Sequence, residues 1–286
     1  PSMLGQFVSV LYSIVDRMYI GNIPEIGDVA LAGVGVCGPV VTMVGSVASL
    51  IGVGGAPLMS IRMGEGNLKE ARRVMSNCVL MLCLFSLVLV AGILPFRRPM
   101  LYLFGASDAT YGYAEEYFTA YLSGTLFALA ATGLNQLVIC QGFAKVGMAS
   151  VMLGAALNIV LDPLFIFTFD LGVRGAAIAT VIGTVCACCM SIASCLHKDG
   201  FIYLGAVKSW VADRFNIRSI CNVWSSSFVE QVCLRIGFLL FSMTVANLGT
   251  TEMAAHQIGA NMMSMSFSFG DGLSVAAVTL IGQSLG

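Results

Sequence analysis

Charge is scarce in this chain: only 10% of its 286 residues are Asp, Glu, Lys or Arg, 58% are hydrophobic, and the mean hydropathy is +0.90. A water-soluble domain carries about 25% charged residues, so the shortage excludes one and points to a membrane protein. Histidine is rarer still. His197 and His256 are the only two, and neither sits in a pattern with carboxylates or a nucleophile that would make a metal centre or an active site, so no enzymatic function and no resident cofactor are expected. Nothing resembles a Walker A loop, which removes ATP as the direct energy source, and GVGG (52–55) lies inside an apolar run with no strand before it. A net charge of −1 offers no basic face for nucleic acid. Cysteine is plentiful by comparison, but Cys78, Cys83, Cys140, Cys186, Cys188, Cys189 and Cys233 fall within apolar runs and read as small packing residues.

What the chain does have is long apolar stretches. A membrane-spanning helix needs about 20 mostly apolar residues, and eight stretches qualify: 1–22, 29–61, 74–96, 117–141, 146–168, 173–196, 219–247 and 253–285. They are too many and too long for a cleavable leader. Polar loops are expected between them at NIPEIGD, RMGEGNLKEARR, FRRP, GASDATYG, GFAKVG, FDLGVRG, HKDG and NLGTTE. Lys and Arg set orientation. The loops after spans two, four and six hold Arg62, Lys69, Arg72, Arg73, Lys145, Lys198, Lys208, Arg214 and Arg218, whereas the others hold only Arg97, Arg98 and Arg174. That asymmetry predicts cytoplasmic even-numbered loops and a cytoplasmic N-terminus.

The chain also repeats itself. Residues 30–64 align with 251–286 at a constant offset of 222 over most of their length, with Leu31 matching Met253, Met43 matching Met265 and Gly64 matching Gly286. Six spans separate the copies, so both share one orientation, as in transporters whose halves are related by an axis along the membrane normal. The expected organisation is an all-α multi-pass bundle: a six-helix lobe over 1–198, a cytoplasmic connector over 199–218, and the first two helices of a homologous second lobe over 219–286. The second lobe is expected to be truncated by about four spans.

An ionisable side chain at mid-bilayer costs about 2.5–3.5 kcal/mol on insertion scales, which makes it a functional candidate. The reading singles out Asp16 and Arg17 in span one, Asp162 in span five, and Glu230 and Arg235 in span seven. Asp16 and Asp162 fall in the same half of the membrane. Asn158 and Asp162, four apart, share one helical face, and Pro163 removes a donor and is expected to bend the helix as a hinge. Two carboxylates in one low-dielectric pocket cannot both ionise cheaply, so such a pair can take up a proton or cation and release it when its surroundings change. Other readings exist: an Asp16–Arg17 pair anchoring a helix end, interhelical hydrogen bonding at Asn158 and Thr180, and a packing role for His256. Met43, Met265 and Phe267 could offer an adaptable apolar surface to varied substrates.

VDRMYIG (15–21), ALAGVGV (30–36), GEGNLKEA (64–71), LNIVLDPLFIF (157–167), GVRGAAIAT (172–180) and LGTTEMAAHQIGAN (248–261) together resemble the multidrug and toxic compound extrusion (MATE) family, in particular its prokaryotic DNA-damage-inducible (DinF-like) branch. The resemblance implies a two-lobed antiporter, with this chain as its N-lobe and the start of its C-lobe. Such an antiporter exports small organic, often cationic, compounds across a prokaryotic inner membrane in exchange for H⁺ or Na⁺, and is expected to work as a monomer in the lipid bilayer. It further implies a proton or cation site at Asp16, Asn135, Asn158, Asp162 and Thr180, a bend-associated proline at Pro1, and a possible second-lobe cation site at Glu230. The nearest alternative is a flippase for lipid-linked sugars, which would line its cavity with arginines for pyrophosphate; a passive channel is a more distant one.

Overall fold

In lipid every backbone N–H and C=O must be satisfied within the segment, so apolar runs of this length become helices. The computed structural model describes residues 2–196, 212–246 and 250–286. Its elements are α1 (Ser2–Gly21), α2 (Gly27–Gly64), α3 (Leu68–Ile93), α4 (Arg97–Leu103), α5 (Asp108–Ser123), α6 (Thr125–Cys140), α7 (Ala144–Pro163), α8 (Gly172–Leu196), α9 (Arg214–Ala246) and α10 (Thr250–Leu285). All eight expected spans are helical. Among the described residues, four helical stretches are long and apolar enough to cross a membrane, and the bent pair α5–α6 makes a fifth. α1 is not among them, because Gln6, Asp16 and Arg17 dilute its hydropathy.

Several helix ends differ from the hydropathy-based reading, each for a local reason. GASDATYG is mostly helix. Ser107 N–H donates to Thr110 Oγ1 at 2.9 Å, a cap that starts α5 at Asp108, nine residues before the apolar run begins. In RMGEGNLKEARR, Asn67 Oδ1 accepts from Glu70 N–H at 3.2 Å, starting α3 within the expected loop. FRRP is no loop either: the 3₁₀ turn Leu94–Phe96 carries Pro95 near its start, where a missing N–H is tolerated, and leads directly into α4. The fourth span is broken into α5 and α6, which meet at 56°. The break lies at Gly124, packed so closely on α8 that an added Cβ would lie 2.6 Å from a Val181 methyl. α9 begins at Arg214 because Asp213 Oδ1 accepts the Phe215 N–H at 2.9 Å, while Asp213 N–H donates to the buried Asn77 Oδ1 on α3, also at 2.9 Å.

Charged residues near the helix ends form the ion pairs found among the described residues, Arg62–Glu65, Arg73–Glu70 and Arg97–Glu115. Inside the bundle, packing relies on small residues. α7 and α8 cross at Gly154 and Gly183, where a Cβ on Gly183 would stand 2.7 Å from the Gly154 carbonyl oxygen. All ten cysteines are free thiols.

α9 and α10 pack on the first six spans through α2, α1 and α3. Here the sequence repeat becomes spatial. A Cβ on Gly64 would lie 3.0 Å from the Gly286 Cα, and one on Gly282 would lie 2.5 Å from the Ser60 Cβ. Both pairs are 222 apart in sequence. Equivalent residues that meet each other mark a local two-fold relation between the tails of α2 and α10.

Candidate functional site

α7 enters the bundle beside α1 and α8, and its buried residues include Ala155, Asn158 and Asp162, the 3- and 4-residue steps of one helical stripe. Beyond Pro163 the helix widens into a π-turn over Leu164–Thr168. A proline at 163 cannot donate to the Ile159 carbonyl, and one widened turn accommodates the fault.

Asp162 is fully buried and Asn158 nearly so, at 0% and 2% exposure. Asn158 Nδ2 donates to Asp162 Oδ1 at 3.2 Å and to Thr180 Oγ1 on α8 at 3.1 Å. α1 brings Asp16, also buried, within hydrogen-bonding reach of Asp162. Two carboxyl groups held this close in low dielectric repel when both are ionised, and a shared proton or a bound cation relieves that. Arg17, next to Asp16 in sequence, is exposed, and no ion pair within 4.0 Å joins the two among the described residues. Thr180 is the hydrogen-bond partner that either of its readings required.

Asn135 on α6 is not brought to the carboxyl pair but lies near the α6–α7 turn. Its side chain lies against Gly147 at the start of α7, where an added Cβ would approach Asn135 Oδ1 to 2.5 Å. With Asn158 and Thr180 it lines a cavity of about 210 Å³ between α1, α6, α7, α8 and α10. Six buried side-chain N or O atoms among the described residues lack a hydrogen-bond partner, and four of them are Asp16 Oδ1, Asn135 Oδ1, Asn158 Oδ1 and Asp162 Oδ2. Buried polar atoms are rarely left unpaired; those of Asp16, Asn158 and Asp162 gather around the carboxyl pair, whereas Asn135 Oδ1 lies beside Gly147, about 16 Å back along α7 from Asn158. Carboxylate and carbonyl oxygens suit a proton or a hard cation such as Na⁺. Among the described residues no group of three or more His, Cys, Asp or Glu could hold a transition metal.

Glu230 stands apart, exposed on α9. Met43 and Phe267 are about half exposed, at 43% and 55%. Pro1 and His197 lie outside the described residues, as do the side chains of Arg235, His256 and Met265. Two residues escaped the sequence reading. Tyr12, one turn before Asp16, lines the cavity within electrostatic reach of both carboxylates; its spacing from Asp16 is the signal that could have found it. Asp271, exposed on α10, interrupts the apolar run of span eight just as Asp162 interrupts span five.

Comparison with known proteins places this geometry. The MatE family model matches residues 1–164 and 227–286. The chain is similar to the multidrug export protein MepA of Staphylococcus aureus (strain NCTC 8325 / PS 47), 24% identical over 281 residues, which are 98% of this chain and 62% of MepA. It thus spans about 62% of the length of such curated relatives. Its fold resembles that of a MATE protein crystallised with MaD3S, at a TM-score of 0.90 and 24% identity over 100% of this chain and 65% of that one. It also resembles an outward-facing multidrug resistance MATE transporter of the MOP superfamily, at 0.89 and 23% over 100% and 64%. With more than half of its residues matched by the family model, and a bundle that superimposes on solved members over its whole length, this multi-pass membrane chain belongs to the MatE family.

Proposed function

We propose that the protein is a cation-coupled antiporter that exports small organic, often cationic, compounds by alternating access, and that Asp16, Asn158, Asp162 and Thr180 bind the coupling H⁺ or Na⁺. The observation that carries this reading is the buried Asp16–Asp162 pair surrounded by unpartnered oxygens. A carboxyl pair of this kind changes its net charge by one when it takes up an ion, and in low dielectric that change alters the preferred packing of α1 against α7. Pro163 and the π-turn provide the place where α7 yields. The proposed frame puts residues 1–198 in one lobe, 199–218 in a cytoplasmic connector and 219–286 in the second lobe. It sets the protein in a prokaryotic inner membrane with a cytoplasmic N-terminus, as a monomer. Glu230 serves in this frame as a weaker, second cation site. Apart from Arg174 at a span's edge, only Arg17 and Arg235 lie inside the apolar spans, which favours this reading over a pyrophosphate-handling flippase.

The test uses the natural full-length protein in sealed proteoliposomes, with a dye cation as substrate under separately imposed proton and sodium gradients. Asp162→Asn is expected to bind dye but to lose gradient-driven transport, and the gradient that drives wild type identifies the ion. Undiminished transport by the variant under the effective gradient overturns the assignment.

A further inference from the structure

The cavity beside the carboxylates does not end there. On α7 its lining runs from Asn158 back through Gly154 and Ser150 to Gly147, a length of about 16 Å at 1.5 Å per residue. On α6 it reaches Ile139, one residue before the helix ends. The cavity therefore extends from the ion site toward the membrane face that holds the α6–α7 turn. Its polar lining includes Gln6, Ser9, Thr132, Gln136 and Thr184, with no charged side chain, and its far wall is made by Gly272 and Val275 of α10.

Three properties limit what such a space can carry. Its 210 Å³ falls below the roughly 300–1,000 Å³ of sites for drug-sized ligands, so the exported compound does not fit. Neutral hydroxyl and amide oxygens stabilise a small cation and its water, and at about 30 Å³ per water the cavity holds several. Two of the unpartnered buried oxygens, on Asn135 and Asn158, belong to residues of its lining. We propose that this cavity is an inner vestibule through which the coupling cation passes between the Asp16–Asp162 pair and the face of the α6–α7 turn, with α10 as its movable wall. Because α10 belongs to the other half, a shift of one half against the other opens or closes the path, and ion release is tied to the motion that moves substrate.

This inference rests on the proposed ion site, and the experiment separates the two. Thr132 is exposed to the open space, so Thr132→Phe fills the vestibule without displacing buried neighbours, and Val275→Phe fills it from α10. In proteoliposomes of the full-length protein, ethidium binding reports folding, while a pH-sensitive dye and radiolabelled sodium report ion flux. Both variants are expected to bind ethidium yet lose substrate-driven ion flux by about tenfold or more, and Thr132→Ser recovers it. If Asp162→Asn abolishes the flux while both phenylalanine variants, binding ethidium, carry it at the wild-type rate, the vestibule is overturned and the ion site stands. If Asp162→Asn carries normal flux, both fall.

Discussion

Within the first six spans Asp16 and Asp162 are 8% and 0% exposed and face each other, whereas Glu230 and Asp271 stand exposed on α9 and α10. The same residue chemistry in similar apolar runs reaches opposite outcomes. A carboxylate withdrawn from water needs hydrogen-bond donors or a shared proton. α7 and α8 supply Asn158 and Thr180 within the first six spans, and α1 supplies the second carboxyl. At Asp16 and Asp162, burial goes with an assembled set of donors and a second carboxyl.

The strongest way to break the contrast is a double-mutant cycle on the buried pair. Asp16→Asn and Asp162→Asn are each expected to reduce ion-coupled transport by roughly 10- to 100-fold, and the double variant to be little worse than either, because the two act as a unit. Additive losses in the vesicle assay would mean two independent sites. Next is the scaffold beneath the pair. Gly183→Leu drives a side chain into the Gly154 carbonyl and should destabilise the protein by about 1–3 kcal/mol, read as a lowered melting temperature in detergent; an unchanged temperature would show that α7 and α8 can separate freely. Asn158→Ala removes both bridging hydrogen bonds and should lower stability by about 1 kcal/mol and weaken ion affinity, measured by ion protection against thermal unfolding. Loss of stability without loss of protection would reduce Asn158 to a structural bridge. The smallest effects are expected on α9 and α10, where Asp271→Asn should change coupled transport by no more than about twofold and Glu230→Gln, at the weaker second cation site, should fall between that and Asp162→Asn. A loss matching that of Asp162→Asn would erase the distinction between the two regions.

Much of this was legible before any coordinates. Eight helices are visible as apolar runs, and the offset of 222 relating Gly64 to Gly286 reads as a repeat; that the equivalent tails touch is a finding of the structure. Asp162 stood out because a charge in hydrocarbon is costly, and its i, i+4 relation to Asn158 placed both on one face. The helix starts at Leu68 and Asp108 were misjudged because hydropathy registers the apolar span and not the caps at Asn67 and Ser107. The break at Gly124 was invisible because its cause, Val181, is 57 positions away in sequence. Tyr12 was missed because an aromatic near a helix end is unremarkable until its neighbours are known.

Sequence by itself determined that the chain lives in lipid, that its elements are helices, and which acids are candidates, since backbone satisfaction and charge solvation act on each segment separately. Tertiary structure alone decided that Asp16 meets Asp162, that Asn135, Asn158 and Thr180 gather around one cavity, and that α10 closes its wall. Those are relations between segments, set by which small residues allow helices to approach.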